Sequence, residues 1–247
     1  MKNKEFVAYG IHPISEALKE GKPIEKVLIQ KGLRGESSHE LVHQLRKAEI
    51  PTQFVPKIKL DKITGKNHQG LIAFISPVEY QNIEWLLPSL YEEGKVPLIL
   101  ILDGVTDVRN FGAICRTAEC AGVHAIVVPA RGSAQIGPDA IKTSAGALLQ
   151  IPICRTNDLS ETINFLHSSG LKIISCHEKA SKKHYSSDLT KPCALIMGSE
   201  ETGISKDILA TSTEEVRIHL VGSTSSLNVS TAAGIILFEA LRQRHQD

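Results

Sequence analysis

A chain of 247 residues that is 42% hydrophobic and 22% charged can bury one large core or two modest ones, which excludes a disordered polyelectrolyte. No apolar run approaches the roughly 20 residues that cross a bilayer, and the opening MKNKEFVAYG lacks the apolar stretch of a signal peptide, so a cytosolic protein is expected. The formal net charge of +1 hides an asymmetry: residues 1–76 hold 13 Lys and Arg against 8 Asp and Glu, and the remainder 15 against 19. A basic front suits contact with a polyanion.

In chain order, residues 6–9 read as a strand, 12–19 as a helix, 26–30 as a strand, 38–48 as a helix, and 52–55 and 71–75 as further strands. The result is a compact α/β unit over 1–76. Residues 77–96, with Pro88, the only Trp and the turn Glu92-Glu93-Gly94-Lys95, read as a linker or bridging helix. A stronger alternation follows over 97–247. LILILD is a buried strand, 110–121 a helix, AIVVP a strand, 139–149 a helix, then IPICR, a helix over 159–168, KIISC, ALIMG and the strand-like 216–220. Strands alternating with helices predict a mostly parallel, doubly wound α/β sheet. The final AAGIILFEALRQ is apolar around most of its circumference, which predicts burial, in part against a second subunit.

Cys115, Cys120, Cys154, Cys176 and Cys193 form no C-x-x-C pair and read as reduced thiols in apolar surroundings. His39-Glu40-Leu41-Val42-His43 spells H-E-x-x-H, but no third ligand is evident and a solvated amphipathic helix accounts for it better. Neither a G-x-G-x-x-G turn nor a P-loop occurs, so a nucleotide held on either is not expected.

Three polar clusters follow buried strands. In the first, Asn110 falls in the opening turn of a helix, where its amide can cap the helix or reach a ligand. At 100° per residue Arg109 and Arg116 share one side of that helix, opposite Phe111, Ile114 and Ala118. The second cluster runs Met197-Gly198-Ser199-Glu200-Glu201-Thr202-Gly203, where glycines let the backbone turn and approach a ligand with Glu200 between them. The third, Ser225-Ser226-Leu227-Asn228-Val229-Ser230, aims hydroxyls, an amide and backbone N–H groups at one spot before the last helix.

In this order, N-F-G-A-I-C-R-T-A-E at 110–119, G-S-E-E-T-G at 198–203 and S-L-N-V-S at 226–230 resemble the three motifs of the SpoU family of RNA 2′-O-ribose methyltransferases, part of the SPOUT superfamily. The likeness extends to Asn67-His68-Gln69-Gly70, Ser144-Ala145-Gly146-Ala147 and IPICR, and is nearest to the two-domain type that methylates a guanosine of 23S ribosomal RNA. It implies a catalytic domain at 97–247 knotted as a deep trefoil, a front domain at 1–76 that binds structured RNA, a linker at 77–96, and a homodimer. It implies S-adenosylmethionine as cofactor, held by Met197, Gly198, Ile218, Leu220 and Leu227. Arg116 matches the residue proposed to accept the ribose proton, with Asn110, Glu200, Ser226 and Asn228 ordering the reactants. A guanidinium is a poor base, so Arg116 acts either in that way or as an electrostatic stabiliser. Val108 and Glu201 stand where proline and glycine are common, and Glu201 would be strained if the turn needed positive φ there. A tRNA-directed enzyme of the family, or a non-catalytic RNA-binding or ribosome-assembly protein on the same scaffold, is the alternative expectation.

Overall fold

The computed structural model describes residues 6–245. These form two compact units, one running to Glu79 and including 136–138, the other formed by the rest of the chain from Tyr80.

The first unit consists of β1 (Val7–Tyr9), α1 (Ile11–Lys19), β2 (Ile24–Gln30), α2 (Glu36–Lys47), β3 (Thr52–Val55), α3 (Lys57–Ile63) and β4 (Leu71–Ile75). Its sheet runs β1-β4-β2-β3, with β4 antiparallel to β1 and β2 and only β2 and β3 parallel. Ile14 of α1 and Leu41 and Leu45 of α2 pack on Val27, Ile29, Leu71 and Ala73. On the opposite face Leu60 of α3 packs on Leu28, Val55 and Ile72. Helix α3 was not expected, because KIKLDKI buries only Leu60 and so gives no periodic stripe. The turn at 67–70 is structural. Gly70 takes φ +78, its N–H donates to His68 Nδ1 at 2.9 Å, and Gln69 Oε1 accepts from the Ile11 N–H at 3.0 Å.

The second unit contains β5 (Tyr80–Gln81), α4 (Ile83–Glu92), β6 (Leu98–Asp103), α5 (Val108–Cys120), β7 (Ala125–Pro129), α6 (Pro138–Thr143), β8 (Ile153–Thr156), α7 (Leu159–Ser168), β9 (Lys172–Cys176), β10 (Lys182–Lys183), β11 (Cys193–Gly198), α8 (Lys206–Leu209), β12 (Glu214–Arg217) and α9 (Val229–Arg244). Eight strands run in the order β10-β12-β9-β11-β6-β7-β8-β5, every adjacent pair parallel. Leu98 through Leu102 are almost fully buried, as a sheet covered on both faces requires, and this explains runs without polar alternation.

One segment takes the helical form of the two expected for it, and two segments differ from expectation. Residues 77–96 carry β5 and α4, whose Ile83, Leu87 and Leu90 join the core of the second unit. The helix expected at 139–149 breaks after Thr143, where Ala145 and Gly146 take φ of 52° and 88° and only a 3-10 turn follows, Ala147–Leu149. Of 216–220 only Val216 and Arg217 stay in the sheet, and Ile218 to Leu220 leave it.

The last helix is fastened at its C-terminal end. Arg244 donates to the carbonyls of Leu189, Val96, Pro97 and Lys191 at 2.7–3.2 Å. Beside it, the Leu98 N–H donates to His124 Nδ1 at 3.0 Å, and burial, with the Arg244 charge, holds the His124 pKa below its ordinary value. We expect Arg244→Ala to lower unfolding free energy by about 2–4 kcal/mol, read as a shifted urea midpoint at constant slope. A depressed histidine pKa means that the unfolded chain takes up the proton first. Stability should therefore fall as pH drops below about 6.5, and His124→Asn should flatten that part of the pH profile.

Candidate active site

The site assembles at the carboxyl ends of β6, β9, β11 and β12, the edge at which parallel α/β sheets bind ligands. After β6, Asp107 caps α5, its Oδ1 accepting from the N–H groups of Arg109 (2.8 Å) and Asn110 (2.9 Å). Val108 is the first helical residue, where proline is favoured but valine also fits. With the cap supplied by Asp107, the Asn110 side chain is free for another use. Its Oδ1 accepts from Asn228 Nδ2 at 2.9 Å.

After β11 the chain folds back on itself between Ser199 and Gly203, each donating its N–H to the other's carbonyl at 3.1 and 3.0 Å, with the Thr202 N–H on Ser199 Oγ at 3.0 Å. The positive φ in this turn falls on Gly203, at +68°, and not on Glu201. The strain that glutamate would suffer at Glu201 is therefore absent. Gly198 is required for a different reason: a Cβ there would stand 2.1 Å from Gly203 C. The turn holds Glu200 against the third cluster, where its Oε1 accepts from Asn228 Nδ2 and, at 3.4 Å, from the Val229 N–H.

Asn228 serves two structures at once. Its Oδ1 caps α9 by accepting from the N–H groups of Ser230 (3.0 Å) and Thr231 (3.3 Å), while its Nδ2 joins Asn110 and Glu200. One amide thus ties the start of the last helix to two distant motifs.

Beside this node opens a cavity of about 630 Å³, a volume that suits a small-molecule cofactor. Met197, Gly198, Ile218, Leu220 and Leu227 line it, as do Glu200, Ser226 and Asn228. Asn110 reaches it only through Asn228. Arg116 is exposed on α5 and lies outside the lining. A further wall was not anticipated: residues 176–179, at the end of β9, line the same cavity. His177 anchors this wall, its Nε2 2.7 Å from Glu215 Oε2 and its N–H on the Val216 carbonyl at 3.0 Å. The available signal was position alone, since KIISC is a buried strand like those before the other clusters.

The remaining motifs take structural roles. His39 and His43 are exposed on α2, and among the described residues no group of three or more His, Cys, Asp or Glu is placed to hold a metal ion. All five cysteines are free thiols. On α9, Ile235 and Phe238 remain 37% and 49% exposed in the single chain.

The SpoU rRNA Methylase family profile matches residues 97–238, and the profile named RNA 2′-O ribose methyltransferase substrate binding matches residues 7–81. A putative TrmH family tRNA/rRNA methyltransferase of Staphylococcus aureus is 33% identical over 242 residues, 98% of each chain. Among solved structures, the SpoU methyltransferase AviRb of Streptomyces viridochromogenes is 25% identical with a TM-score of 0.60, over 97% of this chain and 89% of that one. The A. aeolicus TrmH/SpoU tRNA modifying enzyme is 32% identical with a TM-score of 0.56, over 65% and 83%.

The close approach at Gly198 generates a structural test. Gly198→Ala should force the 199–203 turn away from β11 and cost about 2–4 kcal/mol of stability. A thermal midpoint equal to that of the unsubstituted chain would contradict this packing.

Proposed function

The chain belongs to the SpoU rRNA methylase family, and from that premise we propose that it transfers a methyl group from S-adenosylmethionine to a ribose 2′-hydroxyl of structured RNA, namely a guanosine of 23S ribosomal RNA. The observation that carries the reading is the meeting of Asn110, Glu200 and Asn228 beside a cavity with apolar walls.

The residues fit the cofactor. Leu227, Ile218 and Leu220 supply apolar walls for an adenine, and backbone groups around Gly198 supply polar contacts, the mixture that such pockets use. S-adenosylmethionine supplies the electrophilic methyl group. The protein's part is to hold the ribose hydroxyl in line and to manage its proton. Glu200, fixed by Asn228, orders the polar end of the cavity, and Ser226 sets a hydroxyl beside it. Arg116, exposed on α5, meets the nucleotide's phosphate in this reading and stabilises charge that develops on the ribose oxygen. The exposed Ile235 and Phe238 of α9, which packs with α5, offer an apolar surface to a second copy in a homodimer. The same reading implies a trefoil knot where the 198–203 turn meets the segment leading to Asn228.

Support for ribosomal RNA comes from the basic first unit, which matches the substrate-binding profile and suits a large RNA recognised by shape. The cytosol is the proposed place of action; no described helix is long and apolar enough to cross a membrane.

Transfer of a tritiated methyl group to unmodified ribosomal RNA, with mapping of 2′-O-methyl positions in cells with and without the protein, tests the proposal. One 23S position should be lost. Loss of a tRNA position instead would redirect the substrate, and cofactor binding without incorporation into any RNA would sink the enzymatic reading. Arg116→Ala should reduce methyl transfer about 10²–10³-fold while leaving cofactor affinity within twofold. Asn228→Ser should keep the helix cap, with a stability loss under about 1 kcal/mol, yet reduce transfer about 100-fold by releasing Glu200 and Asn110.

A further inference from the structure

The first unit presents a half-open sheet face with an unusual surface chemistry. Helix α3 has only seven residues and closes the side over Leu28, Val55 and Ile72. Val7 and Tyr9 of β1 and Phe74 of β4 stay partly exposed on the same face. The register aligns Val7 with Phe74 and Tyr9 with Ile72, so Tyr9 and Phe74 are diagonal neighbours, their backbones about 7–8 Å apart.

Two lysines rim these rings and a third stands near one of them. Lys26 Nζ lies 5.2 Å from the Phe74 ring centre, and Lys66 Nζ lies 4.9 Å from that of Tyr9. Lys59 faces Lys26, and burial together with this like charge lowers the Lys26 pKa, which its neighbour Glu25 only partly offsets. None of the three forms an ion pair with a described carboxylate, unlike Lys22 with Glu20 and Lys57 with Asp61. The mutual repulsion of Lys26 and Lys59 is a cost that a phosphate would relieve.

We propose that this face, with Tyr9 and Phe74 as stacking platforms and Lys26, Lys59 and Lys66 as phosphate contacts, seats an unpaired segment of the substrate RNA. The proposal rests on the RNA methyltransferase reading and adds where and how the RNA is held. The two rings stand on adjacent strands, so each offers its own platform to a separate unpaired base. In the free protein the ammonium groups of Lys26 and Lys66 each cover a ring. When a base takes the ring face, the flexible lysine moves to the adjoining phosphate. Aromatic stacking combined with cationic tracking of the backbone is how single strands are bound.

The test titrates the full chain with a fluorescein-labelled 12-nucleotide single-stranded RNA over a range of salt. Lys26→Gln, Lys59→Gln and Lys66→Gln combined should reduce the slope of log affinity against log salt by about 2, near 0.7 per lost phosphate contact. Tyr9→Leu should weaken binding about 5- to 100-fold at unchanged slope, and Tyr9→Phe should restore it. If the variants fold poorly, reductive methylation of the unsubstituted protein gives the same answer, since RNA should shield Lys26, Lys59 and Lys66. An unchanged slope, no shielding, or lysine-dependent binding to phosphatidylserine vesicles but not to RNA would overturn the proposal. Calorimetry with S-adenosylhomocysteine, run in parallel, reports on the methyltransferase reading alone.

Discussion

The contact on which the site depends is the approach of the 199–203 turn to the end of β11, so close that a single methyl group at Gly198 would overlap Gly203. That approach sets where Glu200 stands, because the turn is locked by its own reciprocal backbone bonds and by Asp103 Oδ2, which accepts from the Ser205 N–H at 2.7 Å. Glu200 in turn fixes Asn228. A backbone packing constraint thus becomes the geometry of a polar cluster assembled from three remote stretches of chain, and the close-packed interior transmits any change in one to the others.

Asn228 makes the helix cap and the polar cluster share a side chain. Its oxygen holds the N-terminus of the last helix while its nitrogen holds the cluster, so the helix cannot shift by a turn without dismantling the site. At its other end Arg244 binds four carbonyls from two separate segments. Helix α9 is thus fixed at both termini, which suits a site that must be held to a fraction of an ångström.

Much of this was legible in sequence where one physical cause dominates. LILILD, AIVVP and KIISC announce strands buried on both faces, and the three polar clusters announce the sheet edge where the cavity opens. What escaped has identifiable reasons. Helix α3 buries a single leucine and carries no period. The break at Ala145 needs a left-handed alanine, which composition does not signal. The wall at 176–179 becomes visible only once the order β12-β9-β11-β6 is known, since nothing local marks it. The apolar residues Ile235 and Phe238 of α9, for which a second subunit was the expected cover, are exposed in the single chain.

The cysteines, assigned no chemical role, have a practical consequence. Burial pushes the thiols of Cys115, Cys154, Cys176 and Cys193 upward, Cys154 to about 12, so at neutral pH they lack both the thiolate and the access that alkylation requires. Cys120 alone is exposed, at the last position of α5 and one turn beyond Arg116. Without any engineering, the molecule therefore carries a single addressable thiol, and a dye placed there would watch the arginine helix as RNA is added.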